Sequence, residues 1–138
     1  MSLDAIRVAV VTAVESAKAT FAGGYPLVIE YDNKIVVDTK TQVNPFLCVR
    51  TLMLDGFQVD ISNNPLQRVT GQIHLGAAIP KGDGSAKALQ LLDHFGPRLH
   101  RKTLGVVRTL MSEPGKPVEH EDWVYYTLLV PFWSDQTT

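Results

Sequence analysis

The chain has one cysteine, Cys48, in 138 residues. That excludes an intramolecular disulfide and any zinc site built on cysteines, and it agrees with a reducing compartment. An excess of one charge is missing too. Thirteen Lys and Arg stand against 14 Asp and Glu, for a net charge of −1. No bulk field therefore draws the chain to nucleic acid or to an acidic membrane. No run of 18 apolar residues occurs, so no segment reads as a membrane-spanning helix. The N-terminal residues offer neither a basic n-region nor a cleavage site, and no signal peptide is expected. Internal repeats and low-complexity tracts are absent.

Catalytic signatures are equally scarce. The histidines are His74, His94, His100 and His120, and none belongs to an HExxH pair. His94 and His100 are six apart and do not share a helix face. His120 sits in Glu119-His120-Glu121-Asp122, which attracts a cation only loosely, because a metal site needs converging ligands. Neither Ser85 nor Cys48 lies in a nucleophile elbow or a caspase-like context. Cys48, within Phe46-Leu47-Cys48-Val49, reads as a small buried hydrophobe.

What is present is a pattern of strands and helices. Val69, Gly71, Ile73, Leu75, Ala77 and Ile79 alternate with Thr70, Gln72, His74, Gly76 and Ala78, which is strand period. Pro80-Lys81-Gly82-Asp83-Gly84 breaks that strand, and Ser85 is placed to cap a helix carrying Ala88, Leu92, Phe95 and Leu99 on one stripe. The Gly-rich loop matches neither GxxxxGK[ST] nor GxGxxG, and Asp83 repels phosphate, so it reads as a turn with a cap. Residues 3 to 21 read as a first helix, with Leu3, Ile6, Val10, Val14, Ala17 and Phe21 on one side. Ser2 is its expected N-cap, and Gly23-Gly24 stops it.

Pro26 to Tyr31 and Ile35 to Asp38 read as short strands across Asp32-Asn33-Lys34, or as one strand followed by a loop. Phe46 to Leu54 and Phe57 to Ile61 flank Asp55-Gly56, a hairpin signal, and Ser62 to Pro65 is a further turn. Leu104 to Met111 and Trp123 to Phe132 read as two more strands, joined by a loop over Ser112 to Asp122. The polar tail from Ser134 to Thr138 is expected to fray. The fold expected is a single α+β domain over 1–138, with a mainly antiparallel mixed sheet and two principal helices packed on one face.

Two clusters point outward. Arg98, His100, Arg101 and Lys102 gather at the end of the second helix, where cations complement the helix dipole. Nucleic-acid contact is the other use of such a cluster, but no aromatic platform interleaves with it in the sequence. Trp123, Tyr125, Tyr126, Phe132 and Trp133 crowd into eleven residues. Neighbours in a strand point oppositely, so they cannot all share one core face. The rest suggest a subunit contact.

The order of these elements carries a resemblance. The matching parts are the opening Leu3-Asp4-Ala5-Ile6 helix and the early strand Tyr25-Pro26-Leu27-Val28-Ile29-Glu30. They continue with Asn44-Pro45-Phe46 leading to Val49-Arg50, then Arg68-Val69-Thr70-Gly71-Gln72-Ile73. The Pro80 to Gly84 loop with its helix, and a closing Trp123 to Phe132 strand with Val130-Pro131-Phe132, complete the set. Over nearly the full chain this layout resembles the tail terminator, or tail-completion, proteins of long-tailed bacteriophages, a group that includes the minor tail protein U type.

The resemblance implies a homo-oligomeric ring, typically a hexamer, that caps the finished tail tube and offers the surface that docks to the filled head. Its partners would be further copies of the chain, the tail tube protein and a head-completion or connector protein. DNA would cross the lumen without specific binding. No reaction, cofactor or metal is implied. The place implied is the head-proximal end of the virion tail, reached after assembly in the host cytoplasm.

A closed ring needs a heterologous interface. Phe57 and Val59 beside Asp55-Gly56, and Trp123, Tyr125 and Leu129 in the last strand, are the candidate subunit contacts. Arg50, Arg68, Lys40 and Lys116 are candidates for touching tube or head, the two lysines from the Asp32–Pro45 and Ser112–Asp122 connections. For Arg50 and Arg68 the plain alternative is a solvated strand position. Another tail or connector component, such as a tube subunit or adaptor, fits the same α+β pattern. A small hydrolase or ligand-binding domain would instead need a pocket, for instance His74 near Asp60 or Asp83.

Overall fold

The computed structural model describes residues 2–32, 34–59 and 65–137. The first helix, α1, spans Leu3–Ala19 and turns Ile6, Val10, Val14 and Ala17 inward. Its valines are poor helix formers, so packing of that stripe holds it. Ser2 caps it as expected, accepting a hydrogen bond from the Ala5 N–H at 3.1 Å. The helix closes at Thr20, and Gly24, at φ 83, redirects the chain.

Strand β1 is only Ile29–Tyr31, and it runs parallel to β2, Phe46–Gln58. The second short strand expected over Ile35 to Asp38 does not form. That segment is irregular, held because the Glu30 carboxylate accepts from the Val36 and Val37 N–H groups, both at 2.8 Å. Asn33, the centre of the expected turn, lies outside the described residues.

The hairpin expected at Asp55-Gly56 is also corrected. β2 continues through both residues, and the register against β3, Leu66–Pro80, slips at Leu54. A β-bulge therefore takes up the extra residue, and the long partner strand carries pairing onward. The reversal falls between Gln58 and Leu66, where the Val59 N–H meets the Leu66 carbonyl at 2.9 Å. Asp60, Ile61 and the expected turn at residues 62–64 lie outside the described residues.

The second helix, α2, spans Ala86–Leu99 and buries Ala88, Leu91, Leu92, Phe95 and Leu99. Ser85 occupies its N-cap position but makes no side-chain capping bond. The single strand expected from Leu104 to Met111 is two, β4 (Thr103–Leu104) and β5 (Val107–Thr109), turned at Gly105 with φ 57. The connection beyond holds β6 (Glu113–Pro114) and β7 (Val118–His120). Strand β8 then runs Trp123–Thr137, so Ser134 to Thr137 do not fray. They pair with Leu66 to Val69.

One mixed sheet results, in the order β1-β2-β3-β8-β5-β4, with β6 and β7 also on β8. All its pairings except β1–β2 are antiparallel. Both helices pack against one face, over Leu47, Val49, Ile73, Leu75, Ala77, Val130 and Phe132. The domain is α+β.

Alternation puts Cys48, Arg50, Gln72, His74, Gly76, Tyr125, Thr127 and Leu129 on the opposite, open face. One end of that face is closed by a second small core of Val37, Phe46, Ala78 and Trp123. The Trp123 indole N–H donates to the Thr39 carbonyl at 3.0 Å. The Asp32–Pro45 connection thus folds back onto the sheet at this point.

Candidate interaction surfaces

The open face carries a groove of about 340 Å³ lined by Glu30, Asp32, Cys48, Arg50, His74, Val118, Tyr125 and Thr127 among others. Pairing sets Arg50 opposite His74 and Glu30 beside Cys48. Both carboxylates have backbone work there. Glu30 holds Val36 and Val37, and Asp32 accepts from the Thr51 N–H at 2.9 Å.

Cys48 is only partly exposed and lies on this face, not in the main core. Burial, then the charge of Glu30, pushes its thiol up to about 12. Its neutral thiol form is therefore favoured at neutral pH. His74 is shifted down by burial and by Arg50, which favours its neutral form. Its ring Nε2 lies 3.0 Å from the Gln72 amide oxygen. Asp83, a partner the pocket reading required, lies beyond the far end of β3, about 20 Å along the strand from His74. Asp60, the other, lies outside the described residues. Among the described residues no three His, Cys, Asp or Glu converge as a metal site, and no helix is long and apolar enough to cross a membrane.

A second surface is an edge. β1 covers β2 only at Leu47 to Val49. Beyond Thr51 the outer edge of β2 carries exposed Leu52, Met53, Leu54, Phe57 and Val59, with Leu54 at 61% and Phe57 at 47% exposure. From Leu52 to Val59 there is one charge, Asp55, and no Lys or Pro. Edge strands that stay free are normally guarded by such residues.

A third surface was not legible in the sequence. Trp133 on β8 stands opposite Arg108 on β5 and packs beneath two guanidiniums, Arg68 at 4.3 Å and Arg108 at 5.3 Å from the ring centroid. Arg68 also makes a bidentate pair with Asp135, at 2.7 and 2.8 Å. Beside the indole is a groove of about 320 Å³ lined by Arg101, Lys102, Thr103, Arg108, Thr109, Leu110, Met111 and Trp133. The basic end of α2 thus gains an aromatic neighbour from more than thirty residues away. Only the β5–β8 pairing supplies it, and nothing in the local sequence announces that pairing.

The expected contact residues divide accordingly. Phe57 and Val59 are exposed on the β2 edge, while Tyr125 and Leu129 are half-buried on the open face. Trp123 is 3% exposed inside the second core and has little surface to give. Arg50, Lys40 and Lys116 are exposed. Arg68 is committed within the subunit to Asp135 and Trp133.

No family model matches the chain, and no curated protein does. A solved structure aligns over 99% of this chain and 96% of that one, with a TM-score of 0.63 at 17% identity. The likeness is one of fold. The name given to that protein describes no activity.

Proposed function

We propose that this chain is a structural subunit that assembles as a ring on the completed tail tube of a long-tailed phage or prophage. There it ends tube growth and presents the surface to which the head docks. The observation that carries this reading is the apolar outer edge of β2, with Leu52, Leu54 and Phe57 in solvent and only the bulge at Leu54 and the single charge of Asp55 to guard it. Such an edge is a template for pairing with another chain. A subunit whose edge is used up in a closed ring is soluble and self-limiting, and a closed ring is what a cap requires. The sequence resemblance to tail terminators supplies the rest.

Phe57 and Val59 serve in the ring contact, and Tyr125 and Leu129 line the open face beside it. Arg50, Lys40 and Lys116 are free to meet tube or connector proteins. DNA passes the lumen, and the near-zero net charge lets it slide.

Light scattering and electron microscopy of the full chain separate this reading from that of a tube subunit. A cap gives one discrete ring, near six times 15.2 kDa for a hexamer. A tube subunit gives open stacks. In the phage that carries the gene, its deletion should give overlong tails and unjoined heads. Normal tails joined to heads after deletion would refute the proposal.

A further inference from the structure

We infer that the basic groove beside Trp133 receives the β7–β8 hairpin of a second copy of this chain. The inference rests on the reading of the chain as a self-assembling subunit, and it names two surfaces that meet. The groove has three cations, Arg101, Lys102 and Arg108, and no carboxylate among its lining residues. Leu110 and Met111 on its wall are 49% and 63% exposed. Arg, Met and Trp together are the composition of a protein-docking patch. Stacking on Trp133 holds the Arg108 guanidinium in place, which lowers the cost of ordering it on binding.

The complementary element is in the same molecule. Val118, Glu119, Glu121 and Asp122 are all exposed around the hairpin tip. Lys81 pairs with Glu119 at 3.7 Å and the His120 ring lies 3.9 Å from the Glu121 carboxylate, so Glu121 and Asp122 are the acids without a lysine or arginine partner. The Lys81 N–H donates to the Asp122 carbonyl at 2.8 Å and fixes the hairpin turn. Val118, 54% exposed, adds an apolar anchor for Leu110 and Met111. A rigid, acidic and partly apolar finger thus faces away from a basic, partly apolar groove.

Geometry gives this pair a direction. Groove and hairpin both lie along the β5–β7 side of β8, one near Trp133 and one at Trp123. Ten residue steps of strand separate them, about 33 Å. Two complementary patches at opposite ends of one edge can meet reciprocally, in a two-fold dimer, or head to tail, in a contact that closes into a ring or runs on; the ring reading takes the second.

The test is a charge swap in the full chain. One variant carries Arg101→Glu and Lys102→Glu, and the other Glu121→Lys and Asp122→Lys. Arg108→Glu is a second groove variant in case the first misfolds, and circular dichroism checks each fold. Wild type should self-associate, with salt weakening it, and each variant alone should associate at least tenfold more weakly. An equimolar mixture should reassemble, because every junction then joins opposite charges, and its rings should contain even numbers of subunits.

Variants that assemble like wild type would overturn the docking and leave the ring reading standing. So would a mixture that stays apart when both variants are folded monomers. Wild type that remains monomeric at all concentrations would overturn self-docking as well, while tail length after gene deletion decides the ring reading separately. Binding of a 20-base-pair DNA duplex that is lost in the groove variant and unchanged in the hairpin variant would reassign the groove to nucleic acid.

Discussion

Gly71 should be the least replaceable glycine of the sheet. It sits in the middle of β3, opposite Met53, where the bulge at Leu54 bends β2 across it. A Cβ there would lie 2.1 Å from the Leu52 carbonyl oxygen and 2.5 Å from Cζ of Phe132. The first neighbour is backbone and the second is a buried ring at 2% exposure, so neither can step aside cheaply. Overpacking of a core costs about 1–3 kcal/mol, and a clash with both a ladder and a core ring belongs at the upper end. With a urea slope of about 2 kcal/mol per molar, a loss of about 3 kcal/mol moves the unfolding midpoint of Gly71→Ala down by about 1.5 M. Gly56→Ala is the matched control, because its Cβ would meet nothing nearer than the Arg68 carbonyl at 3.8 Å. It should stay within about 0.5 kcal/mol of wild type. Both variants are measured at one protein concentration, since association would shift the midpoint. A Gly71→Ala midpoint equal to that of Gly56→Ala would refute the account of the bulge.

Two further outcomes follow from the titrating groups. Cys48 should react negligibly with a disulfide reagent at pH 8 in the folded protein and promptly after unfolding, because burial and Glu30 hold its thiol near 12; fast labelling of the native chain would contradict that environment. The hydrogen bond from Arg68 lowers the Asp135 pKa below its unfolded value, so the pair contributes stability above the unfolded pKa, which is lost as pH falls through the folded one. Asp135→Asn should therefore be less stable than wild type at pH 7, with the gap narrowing below about pH 4; a gap independent of pH down to 2 would show that the pair has no linked proton.

The two helices and the long strand before α2 were readable because their apolar periods survive in the sequence. Ile6, Val10 and Val14, and likewise Ala88, Leu92, Phe95 and Leu99, stand on the helical stripes and are buried there. Asp55-Gly56 misled because neither residue takes the positive φ of a tight hairpin turn; both pair with β3 just past the bulge at Leu54, and only the length of β3 decides that. Ile35 and Val36 have strand-like side chains yet lie in solvent, because the segment's N–H groups are satisfied by Glu30 instead of a ladder. The polar tail looked frayed because its side chains are polar, yet Ser134 is buried with its hydroxyl donating to the Val106 carbonyl, and backbone pairing with β3 continues to Thr137. Phe57 and Val59, the candidate contacts beside Asp55-Gly56, are exposed. The Trp133 groove was not, since it depends on a pairing between Arg108 and a residue 25 positions away.

The place of β8 in the sheet also sets the order in which the domain can be made. A growing chain releases α1, β1, β2, β3 and α2 before residues 123–137 exist to pair with β3 along its whole length. Until then β3 has a bare inner edge as well as the bare outer edge of β2. Ile73, Leu75 and Phe95 have only part of the wall they later pack against, which now includes Leu128, Val130 and Phe132. The nascent protein is therefore at its most adhesive just before β8 is made. When β8 docks, it closes the inner edge and gives β5, β6 and β7 something to pair with, so the sheet's last strand to be synthesised is the one that makes the rest a domain.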